Sequence, residues 1–203
     1  MTQCPVRDYA SLAARIAGSR PAAAEVAVLA RADGYPVFHV CVETDREAPW
    51  ILLLAGVHGD EPAGVEALLQ LLESGLEPWR DSANFDAIPC ANPHGYVFDQ
   101  RHDADGRDLN WSYGKSGVPL ITGLRRIIAG RRYLFALDMH EDWESPGYYL
   151  YELCRSRPGS GPEIARRIEA VCPLNLASTI EGSRSAGGLV FPDLVAERER
   201  RGV

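Results

Sequence analysis

Two nearly unbroken apolar runs of strand length, ILLLAGV at 51–57 and YLFALDM at 133–139, constrain this chain more than any other feature. A run without polar alternation has no solvent face. Strands of that kind belong inside parallel or mixed sheets covered by helices on both sides. Between the runs, Val65, Leu68, Leu69 and Leu72 recur at three- and four-residue steps, which predicts a helix. Pro62 suits its first turn, where a missing N–H costs nothing, and Gly75 offers a stop. Alternating strands and helices give an α/β class, a mixed, mostly parallel twisted sheet flanked by helices.

The remaining pattern fills in around that frame. Residues 7–17 carry Tyr9, Leu12, Ala13 and Ile16 on one helical face. Strand-like runs at 25–30 and 36–43 flank Asp33-Gly34, a hairpin signal because glycine accepts positive φ. A strand is expected at 85–91, helices at 121–129 and 163–171, and a further strand at 148–154. Residues 92–117 have little periodicity and read as a long loop, which inside a compact domain usually carries function. After Pro173 the pattern weakens. With no repeats and no low-complexity linker, one domain over 1–203 is the expectation.

Composition narrows the function classes. A formal net charge of −7 argues against a general nucleic-acid binder, which needs a basic face. No stretch is long and apolar enough for a membrane span, and the first residues lack the basic start and apolar middle of a secretory signal. Cys4, Cys41, Cys90, Cys154 and Cys172 are scattered, odd in number and form no CxxC pair. They read as reduced thiols in a cytoplasmic protein.

Both apolar runs end in histidine. ILLLAGV runs into His58-Gly59-Asp60-Glu61, and YLFALDM into His140-Glu141-Asp142. Ligands of α/β sheets bind outside the carboxyl ends of the strands, where these residues fall. His58 and Glu61, three apart in a loop that turns into a helix, can point the same way. Imidazole and carboxylate are suitable zinc donors, and His140 completes the three-ligand set that leaves a fourth position for water. One divalent ion, zinc, is the expected cofactor; it lowers the pKa of its water and polarises a carbonyl. Asp138 shares a strand side with His140 and is expected to take the second ring N–H of one of the histidines. A lone HxxE is a weak signal, and His39, His94 and His102 are expected to be structural.

At this point three blocks match a family. AGVHGDEPAGVEAL, IPCANPHGYVFDQRHDADGRDLNW and ALDMHED resemble, in order, the blocks of carboxypeptidase A-like zinc peptidases. The resemblance is closest to the bacterial branch that includes succinylglutamate desuccinylases and aspartoacylases. It implies His58, Glu61 and His140 as metal ligands. It also implies Arg101 as the arginine that polarises the scissile carbonyl and Asn110 as a hydrogen-bond partner of the substrate carboxylate. The implied activity is hydrolysis of a C-terminal peptide bond or of an amide in a small peptide or N-acyl amino acid.

Two departures stand out. Where the family has an arginine after Asp-Leu-Asn, this chain has Trp111, so Trp111 could stack on a ring or Arg107 could take over the charge. The family's catalytic glutamate lies on a late strand in a Thr-x-Glu setting, but the only match here is Thr179-Ile180-Glu181, closer to His140 than the family spacing implies. Glu197 and Glu199 sit in a charged segment. The expectation is therefore that the native protein continues past Val203, with Glu181 as the candidate base inside the chain and a catalytically dead relative as the third reading. Gly114-Lys115-Ser116 lacks the earlier glycine of a phosphate loop, and no GxSxG elbow is present. A metal hydrolase competes with a non-catalytic metal- or ligand-binding relative.

Overall fold

The structure is a computed structural model that describes residues 4–19, 21, 24–45, 47–79, 82–153 and 159–192. The chain divides into two compact units, residues 1–141 and 142–203.

The first unit opens with α1 (Tyr9–Gly18), capped by the Asp8 carboxylate on the Ala10 N–H. β1 (Ala24–Ala32) and β2 (Tyr35–Val42) follow as the expected hairpin. Asp33 and Gly34 both have positive φ, 49° and 80°, as a two-residue turn that matches strand twist requires. β3 (Trp50–Ala55) runs into α2 (Pro62–Glu73), whose first residue is the expected proline. β4 (Asn84–Ile88), α3 (Pro93–Phe98), α4 (Pro119–Ile128) and β5 (Tyr133–Met139) complete the unit. The sheet order is β1-β2-β4-β3-β5. β3 pairs in parallel with β4 and β5, whereas β1–β2 and β2–β4 are antiparallel. The mixed sheet is thus parallel in the half that bears the strand-end histidines.

Side chains alternate across β3 and β4 and divide between two cores. Ile51, Leu53, Ala55, Phe85 and Ala87 pack with Val65, Leu68, Leu69 and Leu72 of α2 and with Tyr9, Leu12 and Ile16 of α1. Leu54 and Ile88 belong to a second core with Leu120, Ile121 and Leu124 of α4. Leu68, Leu69 and Leu72 are each fully buried, and each contributes roughly 1.5–3 kcal/mol relative to an exposed side chain. The α2 face is therefore what fixes the helix behind the site.

β5 departs from the sequence reading. It is a strand, but Leu134, Phe135 and Leu137 are 68%, 48% and 43% exposed. Among the described residues β5 pairs along one edge only, with β3. The expected loop at 92–117 is also more ordered than its lack of periodicity implies. Asn92 accepts from the Gly95 N–H and starts α3, and Asp108 accepts from the Asn110 N–H to start a single 3-10 turn over Leu109–Trp111. Asn92-Pro93 is a cap followed by proline at the first helical position, a signal that periodicity alone overlooks.

The second unit contains β6 (Leu150–Tyr151), α5 (Gly161–Ile168), β7 (Thr179–Ile180), β8 (Ser183–Ala186) and β9 (Leu189–Phe191). Its sheet order is β6-β9-β8-β7. The Glu152 carboxylate accepts from the N–H groups of Ser160 and Gly161 at 2.7 and 2.9 Å, satisfying donors at the start of α5. Cys154 and the segment with Glu197 and Glu199 lie outside the described residues. No helix among the described residues is long and apolar enough to cross a membrane.

Candidate metal centre

His58 and Glu61 come from the loop between β3 and α2, and His140 follows β5, the strand paired with β3. A glycine fixes the first loop in place. A Cβ on Gly59 would fall 1.9 Å from the Gly95 carbonyl carbon and 2.2 Å from the Tyr96 nitrogen. The loop therefore abuts the backbone of α3, and only glycine fits. Arg7 reinforces the junction by donating to the carbonyls of Gly59 and Tyr96 at 3.3 and 3.0 Å.

The three expected ligands converge. His58 Nδ1 lies 2.6 Å from Glu61 Oε1, and His140 Nδ1 lies 2.7 Å from Glu61 Oε2. The two Nδ1 atoms are 3.2 Å apart. His58 is 2% exposed and Glu61 9%, while His140 keeps 32% of its side chain accessible. Two donors are thus held inside the protein and the third sits at its rim, an arrangement with an open side for a substrate or water.

The opposite nitrogen of each ring faces a carboxylate. His58 Nε2 is 3.3 Å from Asp108 Oδ1, and His140 Nε2 is 3.5 Å from Asp138 Oδ2. This is the outer arrangement that leaves Nδ1 for a cation. Asp138 serves His140, one of the two partners expected for it; Asp108 serves His58 and was not singled out from sequence. Asp108 also holds Arg101, whose Nε donates to Oδ2 at 3.0 Å. Burial works against the charge of Asp108, but Arg101 and then His58 outweigh it and hold the carboxyl below its ordinary value. Burial likewise opposes ionisation of Glu61, yet the hydrogen bonds from His140 and His58 bring it down to about 2. Burial disfavours the imidazolium of His140, but Asp138 and Glu61 prevail and raise it to about 10. At each of these three groups the polar partners outweigh burial. The donor set of two imidazoles and one carboxylate, with its backing carboxylates, fits a divalent ion such as zinc.

The other expected site residues fall in different places. Arg101 is beside the ligands, its Nη1 3.7 Å from Glu61 Oε1. Asn110 lies on the 3-10 turn, its N–H bonded to Asp108 Oδ1 at 3.0 Å. Trp111 ends the same turn and is half-buried. Arg107 binds Asp103 at 2.8 Å and also pairs with Asp105, so its guanidinium is bonded within its own loop. Glu181 does not lie on a buried strand. It is the first residue of the β7–β8 turn, with φ of 47° followed by 76° at Gly182, and its carboxylate accepts from the Tyr151 hydroxyl at 2.7 Å. His39 and His94 pair with Asp86 and Asp33 at 2.6 and 2.7 Å, as structural histidines do.

A second donor cluster, His39, Cys41 and Asp86, has ligand atoms within 4.8 Å of one another. Arg131 occupies it: the guanidinium donates to Asp86, reaches Cys41 Sγ at 3.7 Å and stacks 3.8 Å over the Trp50 ring. A resident cation already balances the buried carboxylate, so a divalent ion there would meet like charge.

Solved structures share the fold. A protein from Shewanella denitrificans OS217 described as a metallopeptidase superposes with a TM-score of 0.73 at 20% identity, covering 91% of this chain and 72% of its own. A metallo-carboxypeptidase from Burkholderia cenocepacia gives 0.61 at 21% identity over 71% of this chain and 43% of its own. A metallo-carboxypeptidase from Pseudomonas aeruginosa, in complex with (2-guanidinoethylmercapto)succinic acid, gives 0.56 at 20% identity over 80% and 46%. No curated protein matches the sequence. The family model of the succinylglutamate desuccinylase/aspartoacylase catalytic domain matches residues 47–185, a span that contains all three converging ligands and crosses both compact units. On that match over more than half its length, the chain belongs to the succinylglutamate desuccinylase/aspartoacylase catalytic-domain family.

Proposed function

We propose that this chain is a zinc-dependent hydrolase that cleaves an amide bond in a small substrate bearing a free carboxylate, either an N-acyl amino acid or the C-terminal residue of a short peptide. The observation that carries the reading is the meeting of His58 Nδ1, Glu61 and His140 Nδ1 around one point, each imidazole backed by a carboxylate. Bound zinc supplies a water of lowered pKa and a Lewis acid for the scissile carbonyl. Asp108 and Asp138 hold the imidazole planes. Arg101, held on Asp108 and beside Glu61, is the proposed donor to a substrate oxygen. Asn110, one residue beyond Leu109 on the same turn, is the proposed partner of the substrate carboxylate.

The acyl-amino-acid form of the proposal draws support from the family match, and the peptide form from neighbours described as metallopeptidases or metallo-carboxypeptidases. Both units are proposed to belong to one catalytic domain, since the family span runs through both. Glu181 is the candidate base within the chain, and its turn position with Tyr151 as partner favours a second reading, a metal-binding relative without this chemistry. A reducing, cytoplasmic location fits the free thiols of Cys4, Cys41, Cys90 and Cys172.

The test combines metal analysis with turnover. Purified protein is expected to retain about one zinc per chain and to release free amine from N-succinylglutamate, N-acetylaspartate or a member of a short-peptide panel. Metal binding without any turnover would favour the non-catalytic relative. Absence of metal binding would end the hydrolase proposal. Unchanged turnover in Glu181→Gln would remove that residue as the base.

A further inference from the structure

We propose that Glu141 is a positioning residue for the metal centre, holding the strand end that carries His140 against the start of α2 directly behind Glu61. The inference rests on the metal-site reading above. It begins from a missing cap. Glu61 occupies the capping place of α2, yet its side chain makes no bond to the first helical turn. Its two carboxylate oxygens are committed to His58 and His140. The first turn of α2 contains no acidic residue of its own. With the Glu61 carboxylate turned toward the imidazoles, the N–H groups at the start of α2 need another acceptor.

Glu141 supplies the cap from across the sheet. Its carboxylate accepts from the N–H of Ala63, 78 residues away in sequence. Its own N–H donates to Glu61 Oε2 at 3.1 Å. That oxygen is the one that meets His140 Nδ1. One residue therefore bonds both to the helix after the second ligand and to the second ligand itself, while being covalently joined to the third. A negative charge at the start of a helix is also favourable. The close approach is built in: a Cβ on Gly64 would lie 3.0 Å from Met139 Cβ and from the Met139 carbonyl oxygen. The first turn of α2 and the end of β5 thus meet at two successive points.

A cap that merely stabilised the helix and one that sets ligand geometry predict different outcomes. Residues that orient metal ligands typically change metal affinity by about 10–100-fold when removed. Co2+ is titrated into metal-free wild type, Glu141→Gln and Glu141→Ala, with the d–d absorption spectrum and the dissociation constant as readouts. Thermal melting of each metal-free variant runs in parallel. Glu141→Ala is expected to weaken Co2+ binding about 10-fold or more and to alter the d–d bands. Glu141→Gln, whose amide oxygen still accepts from Ala63, is expected to recover most of that loss. A Glu141→Ala protein that melts lower but binds Co2+ with wild-type affinity and spectrum overturns the proposal. If Glu141→Ala does not fold, Glu141→Asp keeps the charge and shortens the reach. Wild-type Co2+ behaviour in that variant overturns the proposal too, and weakened binding supports it. Wild type that takes up no Co2+ instead overturns the metal-site reading itself, so the two failures are distinct.

Discussion

The first unit contains two histidine–carboxylate clusters that look alike on paper and differ in one respect. At the strand ends, His58, Glu61 and His140 face one another, and the nearest guanidinium, Arg101, is held on Asp108 with its Nη1 3.7 Å from Glu61. Further back on the sheet, His39, Cys41 and Asp86 also cluster, but Arg131 is bonded to two of the three. Donor proximity is common to both. What separates them is where the nearest guanidinium sits: Arg101 stands 3.7 Å from Glu61 and is held on Asp108, whereas Arg131 donates to Asp86 and reaches Cys41. In the first cluster the three donor groups face one another, and in the second an arginine bridges two of them.

The sharpest way to break this comparison is to delete donors from each. His58→Ala or Glu61→Ala is expected to abolish zinc retention, whereas His39→Ala should leave about one zinc per chain by mass spectrometry. Loss of metal in His39→Ala alone would reverse the assignment. The next largest effect falls on stability. Arg131→Met strands a fully buried Asp86, and urea unfolding should report a loss of about 3 kcal/mol. A loss below 1 kcal/mol would mean that His39 and Tyr133 suffice to hold the charge. Asp108→Asn should weaken zinc binding about 10-fold, measured by competition with a chelator. Wild-type affinity there would remove Asp108 from the site.

The smallest effect is in pH. Burial opposes the charge of Asp86, but bonds from His39, Arg131 and Tyr133 hold its carboxyl below the ordinary value. The unfolded chain then takes up the proton first. This contribution to stability is complete above the ordinary carboxylate range and is lost as pH falls through the depressed value. The urea midpoint of the metal-free protein should fall between pH 6 and pH 3, and Asp86→Asn should flatten that limb. An unflattened limb would assign the acid sensitivity to other carboxylates.

The same contrast explains what could be read from the sequence. The convergence of His58, Glu61 and His140 was legible because an apolar run ending in histidine combines a local pattern with a rule about strand ends, and both are visible in one dimension. The hairpin at Asp33-Gly34 and the start of α2 at Pro62 were legible for the same reason. Asp108 was not, since its value comes from meeting His58 across 50 residues. Nor was Arg131, whose role depends on Asp86 and Trp50. β5 was read as a strand, but its exposure depends on how many neighbours it has, which no periodicity encodes. Glu181 was weighed by its Thr-x-Glu context. The glycine that follows it is the stronger signal, because a Glu-Gly pair with two positive φ values makes a turn.

The contact of Gly59 with Gly95 carries a consequence for how such a protein can change. With no room for a methyl group between them, the stretch holding the first two ligands and the helix leading to Arg101 behave as a single rigid block. Neither can be lengthened or tilted without dislodging the other. A side chain at either glycine would therefore shift His58, Glu61 and the segment leading to Arg101 together.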